Sequence, residues 1–186
     1  TITRGIYDIA AGNGMTIGNT ITNNAGAASL ILESSTSGNA TLYHSNNDVP
    51  ATVKRYFNGS AEDWHLFSTP VSAQAISGSW LPSGSYGNGT GYDLYVWNEP
   101  NSCWIYKLDT SSIVNWNTVH SSANFQAGKG YLYSLQASNP TKEFQGTLNN
   151  GDLNLALTIG GTDSTLSGFN LVGNPYPSSI DWQSAS

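Results

Sequence analysis

In Tyr92-Asp-Leu-Tyr-Val-Trp97, Tyr92, Leu94 and Val96 alternate with Asp93, Tyr95 and Trp97. That is the period of a half-buried strand, so one face should be core and the other aromatic. The five residues Asn98-Glu-Pro-Asn-Ser102 have hairpin length and lead into a second run, Cys103-Trp-Ile-Tyr-Lys-Leu108. Upstream, Asp63-Trp-His-Leu-Phe67 predicts a strand stopped at Pro70, because proline cannot donate to a ladder. Downstream, Asn124 to Tyr133 reads as a turn feeding a strand. Thr141 to Thr147 and Asp152 to Ile159 read as two strands around a hairpin at Asn149-Asn-Gly-Asp152. The glycine-rich stretch Gly84 to Gly91 reads as a flexible loop.

Residues 1–55 have a different texture. Short β-prone runs at Met15–Thr22, Ser29–Glu33, Asn39–Tyr43 and Ala51–Phe57 are separated by polar turns such as Asn23-Asn24 and Ser45-Asn-Asn-Asp48. This stretch contains no Trp and too few large side chains for a core of its own. It predicts a short β-solenoid-like or meander extension packed on the remainder of the chain. The expected architecture is therefore all-β: an extension over 1–55, then a jelly-roll-like β-sandwich module over 56–186.

Composition agrees. Ser, Asn, Gly and Thr make up more than two-fifths of the 186 residues, and charged residues only 10%. Long surface helices need Glu, Lys, Arg and Ala on their wet faces, so few are expected. Six Trp, ten Tyr and five Phe supply apolar area that a disordered chain lacks. The net charge of −6, with Lys54-Arg55 the only basic pair, excludes the positive stripe that nucleic acid or an anionic membrane surface requires. No apolar run approaches the length of a membrane span. The chain begins at Thr1 with no leader in view, which predicts a piece of a longer protein.

An internal echo is the most informative feature. Trp64-His-Leu-Phe-Ser-Thr-Pro-Val71 aligns with Phe169-Asn-Leu-Val-Gly-Asn-Pro-Tyr176 at an offset of 105 residues. A repeat of that length is a whole β unit, and a second repeat would begin at 169–186. These motifs, with Tyr95-Val-Trp-Asn98, Ala127-Gly-Lys-Gly-Tyr-Leu132 and Phe144-Gln-Gly-Thr147, resemble a domain that recurs in large secreted proteins of Bacteroidetes-type bacteria. The likeness covers roughly residues 52–186. It implies an adhesin or accessory module at the cell surface or secreted, carried on a larger multidomain chain of the type IX secretion class. It carries over no catalytic residues.

Catalysis finds little support in the residues. The twelve acids are scattered, and Glu62, Asp63, Asp93, Glu99 and Asp181 form no recognisable pair by spacing. His44, His65 and His120 lie far apart, so no metal site is expected and solvated or hydrogen-bonded histidines are. Asn46-Asn-Asp48 and Asn149-Asn-Gly-Asp152 leave a structural calcium open, though neither has the spacing of a dedicated loop. No other cofactor is implied. Cys103 has no nearby base and reads as a half-buried structural thiol.

The positive case is aromatic. Sugars stack their C–H faces on Trp or Tyr and bond their hydroxyls to amides. The candidates are Tyr86 and Tyr92 flanking the glycine loop, and Trp97, Trp104 and Trp116 with Asn98, Asn101 and Asn117 nearby. More than half of the six Trp are expected in the core, Trp64 and Trp80 first. Surface adhesion or accessory carbohydrate binding, with a glycan or cell-surface ligand, is the leading reading. A purely structural spacer and a fragment of a polysaccharide-degrading enzyme are the alternatives. An exposed cluster of two or more coplanar aromatics beside polar amides would favour the first over the second, and aromatics that are all buried would favour the spacer.

Overall fold

The computed structural model describes residues 1–82, 92–110, 112–161 and 163–183. The first part of the chain forms seven strands: β1 (Tyr7–Ile9), β2 (Gly14–Thr16), β3 (Leu30–Leu32), β4 (Ser34–Ser35), β5 (Gly38–Asn39), β6 (Thr41–Tyr43) and β7 (Pro50–Tyr56). The rest forms β8 (Trp64–Phe67), β9 (Val71–Ser72), β10 (Leu94–Asn98), β11 (Cys103–Tyr106), a single helical turn α1 (Trp116–Val119), β12 (Tyr131–Ser134) and β13 (Thr141–Leu148). Strands hold 33% of the chain and helices 8%, so the protein is all-β.

Two sheets carry the structure, one ordered β1-β3-β7-β13-β9 and the other β11-β10-β12-β8. The extension strands β1 and β3 therefore belong to the same sheet as β7 and β13. They pair in parallel, Tyr7 with Leu30 and Ile31 with Thr52, and β2 pairs in parallel with β6. A meander would pair antiparallel, so that expectation is set aside. Polar staples hold the turns between these strands: Asn23 Nδ2 donates to the carbonyls of Gly26 and Pro50, and Asn46 Oδ1 accepts from the Ile21 amide.

Period-two burial builds the core between the sheets. In β13, Lys142, Phe144 and Leu148 are buried while Thr141, Glu143 and Gln145 are exposed. Phe144 sits opposite Val53 of β7 and 4.6 Å from the Trp80 ring, with Phe67 of the second sheet at 6.1 Å. Phe125 and Tyr131 close the cluster edge-on. One connected set of buried apolar residues runs from Ile9 to Leu148.

Several expectations change. Only Trp80 and Trp116 are buried; Trp64 is 38% exposed, because β8 turns His65 and Phe67 inward and Trp64 and Leu66 outward. Of the Met15–Thr22 run only Met15 and Thr16 are strand, at the end of β2. Residues 152–159 form no strand and the Asn149–Asp152 hairpin does not close. Asn149 is taken elsewhere: its amide N–H donates to Pro70 O, and Nδ2 donates to Thr69 O and Pro175 O. The turn is thus spent on tying both copies of the echoed Pro segment together. Residues 64–67 pair antiparallel with 131–134, and Val172 bridges Lys129 in the same run of chain.

Phe144 is the test of the core. Truncation to alanine should cost about 3–5 kcal/mol, the usual loss for a fully buried phenylalanine. A urea unfolding midpoint that does not fall would show that the two sheets do not depend on this ring.

Candidate functional site

Alternation in the second sheet turns Leu94 and Val96 into the core and Tyr95 and Trp97 outward, as the sequence predicts. Across the ladder Tyr95 faces Tyr106 and Trp97 faces Trp104. The outer surface is therefore a run of aromatics from three strands. Trp64 packs edge-on to Tyr95 at 5.5 Å, Tyr95 lies 6.1 Å from Tyr106, Tyr106 4.7 Å from Tyr92, and Trp97 5.3 Å from Trp104. Interplanar angles of 33–66° make this a ridged surface rather than a flat one, so the expected coplanar cluster does not form. Trp104 is 40% exposed. Trp97 is half-buried and its orientation is fixed by a hydrogen bond from Nε1 to the Phe169 carbonyl, 2.6 Å.

A groove of 730 Å³ opens beside Trp97. The Asn98–Asn101 turn forms one side, α1 and residues 126–129 another, and the extended segment 154–158 a third. Asn98, Asn101 and Asn154 bring amides to it, with Leu155, Leu157 and Leu171 as apolar wall. This mix of one indole, several amides and aliphatic surface is what a sugar-sized ligand needs.

Residues 154–158 have no ladder partner among the described residues, so something else must position them. Glu99 does so. Its Oε1 accepts from the amides of Gly160, Gly161 and Gly168 at 3.0, 2.9 and 2.7 Å. Gly161 is packed so closely that a Cβ would lie 2.9 Å from the Glu99 carbonyl, so no larger residue fits the clamp. On the strap itself, Asn170 bonds the Thr158 amide through Oδ1 and its carbonyl through Nδ2, imitating a strand neighbour.

The far wall is held by a buried relay. The Gln126 amide donates to the Tyr131 hydroxyl, which lies 2.7 Å from His120 Nε2, while His120 Nδ1 lies 3.0 Å from the Ser122 carbonyl. A carbonyl only accepts, so Nδ1 carries the proton and Nε2 accepts from Tyr131. Burial holds the neutral imidazole in place, lowering its pKa to about 4.

The predicted residues divide. Trp97, Asn98 and Asn101 converge on the groove and Trp104 lies beside them on the aromatic surface. Tyr92 lies on that surface too, against Tyr106. Its neighbour Asp93 is buried instead, because the alternation slips at the start of β10 and Asp93 takes a hydrogen bond from Gln136. Trp116 is a correction: it is 1% exposed, stacked 4.8 Å from His120 beneath Lys107, and offers no face to a ligand. Asn117 is exposed on α1 but does not line the groove. Tyr86 lies outside the described residues. Sequence reading missed Tyr106 and Trp64 as surface aromatics, although their strand alternation carried the signal. It had no signal for Asn154, whose segment lacks a ladder.

Other chemistry is sparse. Among the described residues no three His, Cys, Asp or Glu cluster as metal ligands, and no helix is long and apolar enough to cross a membrane. Asp63 accepts from the Ser60 amide and Asp181 from the Gln183 amide, as turn residues do. Cys103 is half-buried, and burial raises its thiol pKa, which leaves it a poor nucleophile.

The clamp has a pH signature. The Thr158 hydroxyl, then the Gly168, Gly160 and Gly161 amides, hold the Glu99 carboxyl at about 2 against an ordinary 4.5, with burial pulling the other way. A depressed carboxylate pKa stabilises the fold above the unfolded value, and that contribution disappears as pH falls through the folded value. Glu99→Gln should therefore lower Tm at neutral pH. The gap to wild type should narrow from about pH 4.5 down to about pH 2, followed by circular dichroism melts. A gap that stays constant across that window would detach the carboxylate charge from the strap.

No curated protein and no solved structure matches the chain. One family does, over residues 2–185, which takes in both sheets, the aromatic surface and the groove. The chain belongs to the family described as Domain of unknown function (DUF8693).

Proposed function

We propose that this chain is a non-catalytic extracellular module of a larger secreted bacterial protein, acting in carbohydrate binding or surface adhesion. The observation that carries the reading is the convergence of Trp97, Asn98 and Asn101 on one groove, continuous with the surface aromatics of β8, β10 and β11. Aromatic rings on a rigid sheet lose little side-chain entropy on binding, and amides at their edge give the hydroxyl bonds that orient a sugar. The tilted rings suit a single twisted glycan chain. A flat crystalline polysaccharide would need coplanar rings.

The sparse charge and the Ser-, Asn- and Thr-rich composition support a secreted or cell-surface location, and the resemblance to secreted Bacteroidetes-type domains supports a type IX secreted parent. The facing sheets are read as a jelly-roll-like β-sandwich, and the parallel ladders of β1-β3-β7 and β2-β6 as the end of a short β-solenoid. A non-catalytic role is supported by acids that serve the fold: Glu99 and Asp63 hold backbone amides, and Asp93 accepts from Gln136.

The test is a panel of soluble polysaccharides and oligosaccharides, read by calorimetry, with Trp97→Ala and Trp104→Ala on every hit. Saturable binding that weakens at least about tenfold in one variant, roughly 1.4 kcal/mol, is expected. Trp104→Ala should leave Tm nearly unchanged, since its ring is already partly in solvent. Silence across the panel, or binding indifferent to both variants, would leave the structural spacer as the better reading.

A further inference from the structure

β7 sends two adjacent cations to opposite faces of its sheet. Lys54 points outward and pairs with Glu33 at 2.8 Å. Arg55 takes an inner-face position between Val53 and Phe57, both buried. Its neighbour across the ladder is Lys142 of β13, so two cations face each other on the inner side, an unfavourable pairing on its own.

Lys142 is answered by its surroundings. Its Nζ donates to the Ser79 carbonyl and lies over the Trp80 and Tyr133 rings at 5.5 and 5.2 Å. Arg55 is not answered in the same way. Nη1 donates to the Lys54 carbonyl at 2.9 Å, and Arg55 makes no ion pair with any described carboxylate. Burial lowers its pKa to about 10, with no carboxylate acting in the opposite sense.

Arg55 lines a cleft of 460 Å³ between the ends of β7 and β8 and residues 171–179. Among the described residues it is the only charged group on that lining. Ser68 is on the same lining, but its Oγ has no hydrogen-bond partner among the described residues and is sealed from solvent, packed toward Gly173. Arg55 thus lies on a cleft whose described lining holds no acid. The cleft adjoins the groove beside Trp97, since Leu171 and Val172 line both.

We infer that this cleft is a subsite for the carboxylate of an acidic sugar, a uronic acid unit of the glycan, with Arg55 as its charge partner. The inference rests on the glycan reading of the groove. A planar guanidinium matches a carboxylate through two parallel N–H···O bonds. One formal positive charge in a partly buried cleft balances a monoanion, whereas a phosphate dianion would remain half uncompensated inside a chain of net charge −6. A carboxylate here also offsets the Arg55–Lys142 opposition.

Calorimetry with trigalacturonate, its methyl ester, a neutral cello-oligosaccharide and inorganic phosphate tests this, on wild type, Arg55→Gln and Trp97→Ala. Trigalacturonate should bind saturably, and esterification or Arg55→Gln should each weaken it at least about tenfold. Equal affinity for acid and ester, unchanged binding in Arg55→Gln, or a preference for phosphate would each overturn the carboxylate subsite. In those cases saccharide binding lost in Trp97→Ala would keep the groove. Absence of any saccharide binding would overturn both. An independent readout comes from Arg55→Met, which should leave Tm unchanged or higher, because it removes an unpaired, partly desolvated charge. A clear fall in Tm would assign Arg55 to the fold instead.

Discussion

The contact of Phe144 with Trp80 and Phe67 between the two sheets decides where everything else goes. Side chains on a strand alternate strictly, so fixing one face inward fixes the other outward. Once Phe67, Tyr131, Tyr133, Leu94 and Val96 are committed to that core, Trp64, Tyr95 and Trp97 have no choice but the outer surface. Cross-strand register then brings Trp104 and Tyr106 beside them. The aromatic surface is thus a consequence of the packing beneath it, and its rings are held by a sheet rather than by loops. The same core fixes β7, and through it the inward position of Arg55.

Charges are few, and each occupies a defined environment. Glu99 holds a glycine-lined strap in place of a β-ladder, using an acceptor strong enough to serve three amides at once. Lys142 is buried but is met by a carbonyl and two ring faces, which reduce the cost of desolvating an ammonium. Lys54 has its carboxylate on the outer face. Arg55 is different: a charge at a core register position, facing a like charge, with the Lys54 carbonyl as its acceptor and no described carboxylate in reach. Groups of this kind destabilise a fold slightly, and their retention makes physical sense where a ligand completes them.

Much of this is legible in the sequence because the second sheet follows simple rules. The alternation in 94–97, the five-residue turn after it, the Pro-stopped strand at 64–67 and the alternating run 141–147 all appear as elements. The departures have identifiable reasons. The run 152–159 has strand composition, with Leu153, Leu155, Leu157 and Ile159 alternating, yet local pattern does not say whether a neighbouring strand is available. Trp116 leaves the surface because the Asn115 capping box turns 116–119 into helix, and its first residue then points under Lys107. Parallel pairing of the extension depends on partners some twenty residues away, which spacing alone does not distinguish from a meander.

Asparagine explains why the candidate site is only partly readable from sequence. An Asn beside an aromatic looks like a sugar ligand in sequence, but its amide can equally replace a missing backbone partner. Asn23, Asn46, Asn149 and Asn170 all do the latter, each bonding main-chain groups distant or local where no ladder runs. Asn174 caps its own turn, accepting from the Tyr176 amide and donating to the Ser178 carbonyl. An amide already bonded twice to the backbone has little left to offer a hydroxyl. Asn98, Asn101 and Asn154 are different: all three line the groove, and none of their side chains is bonded to another described residue. The staples are the amides that make a groove possible in a chain with so few regular elements. The three left over are the ones chemically free to read what enters it.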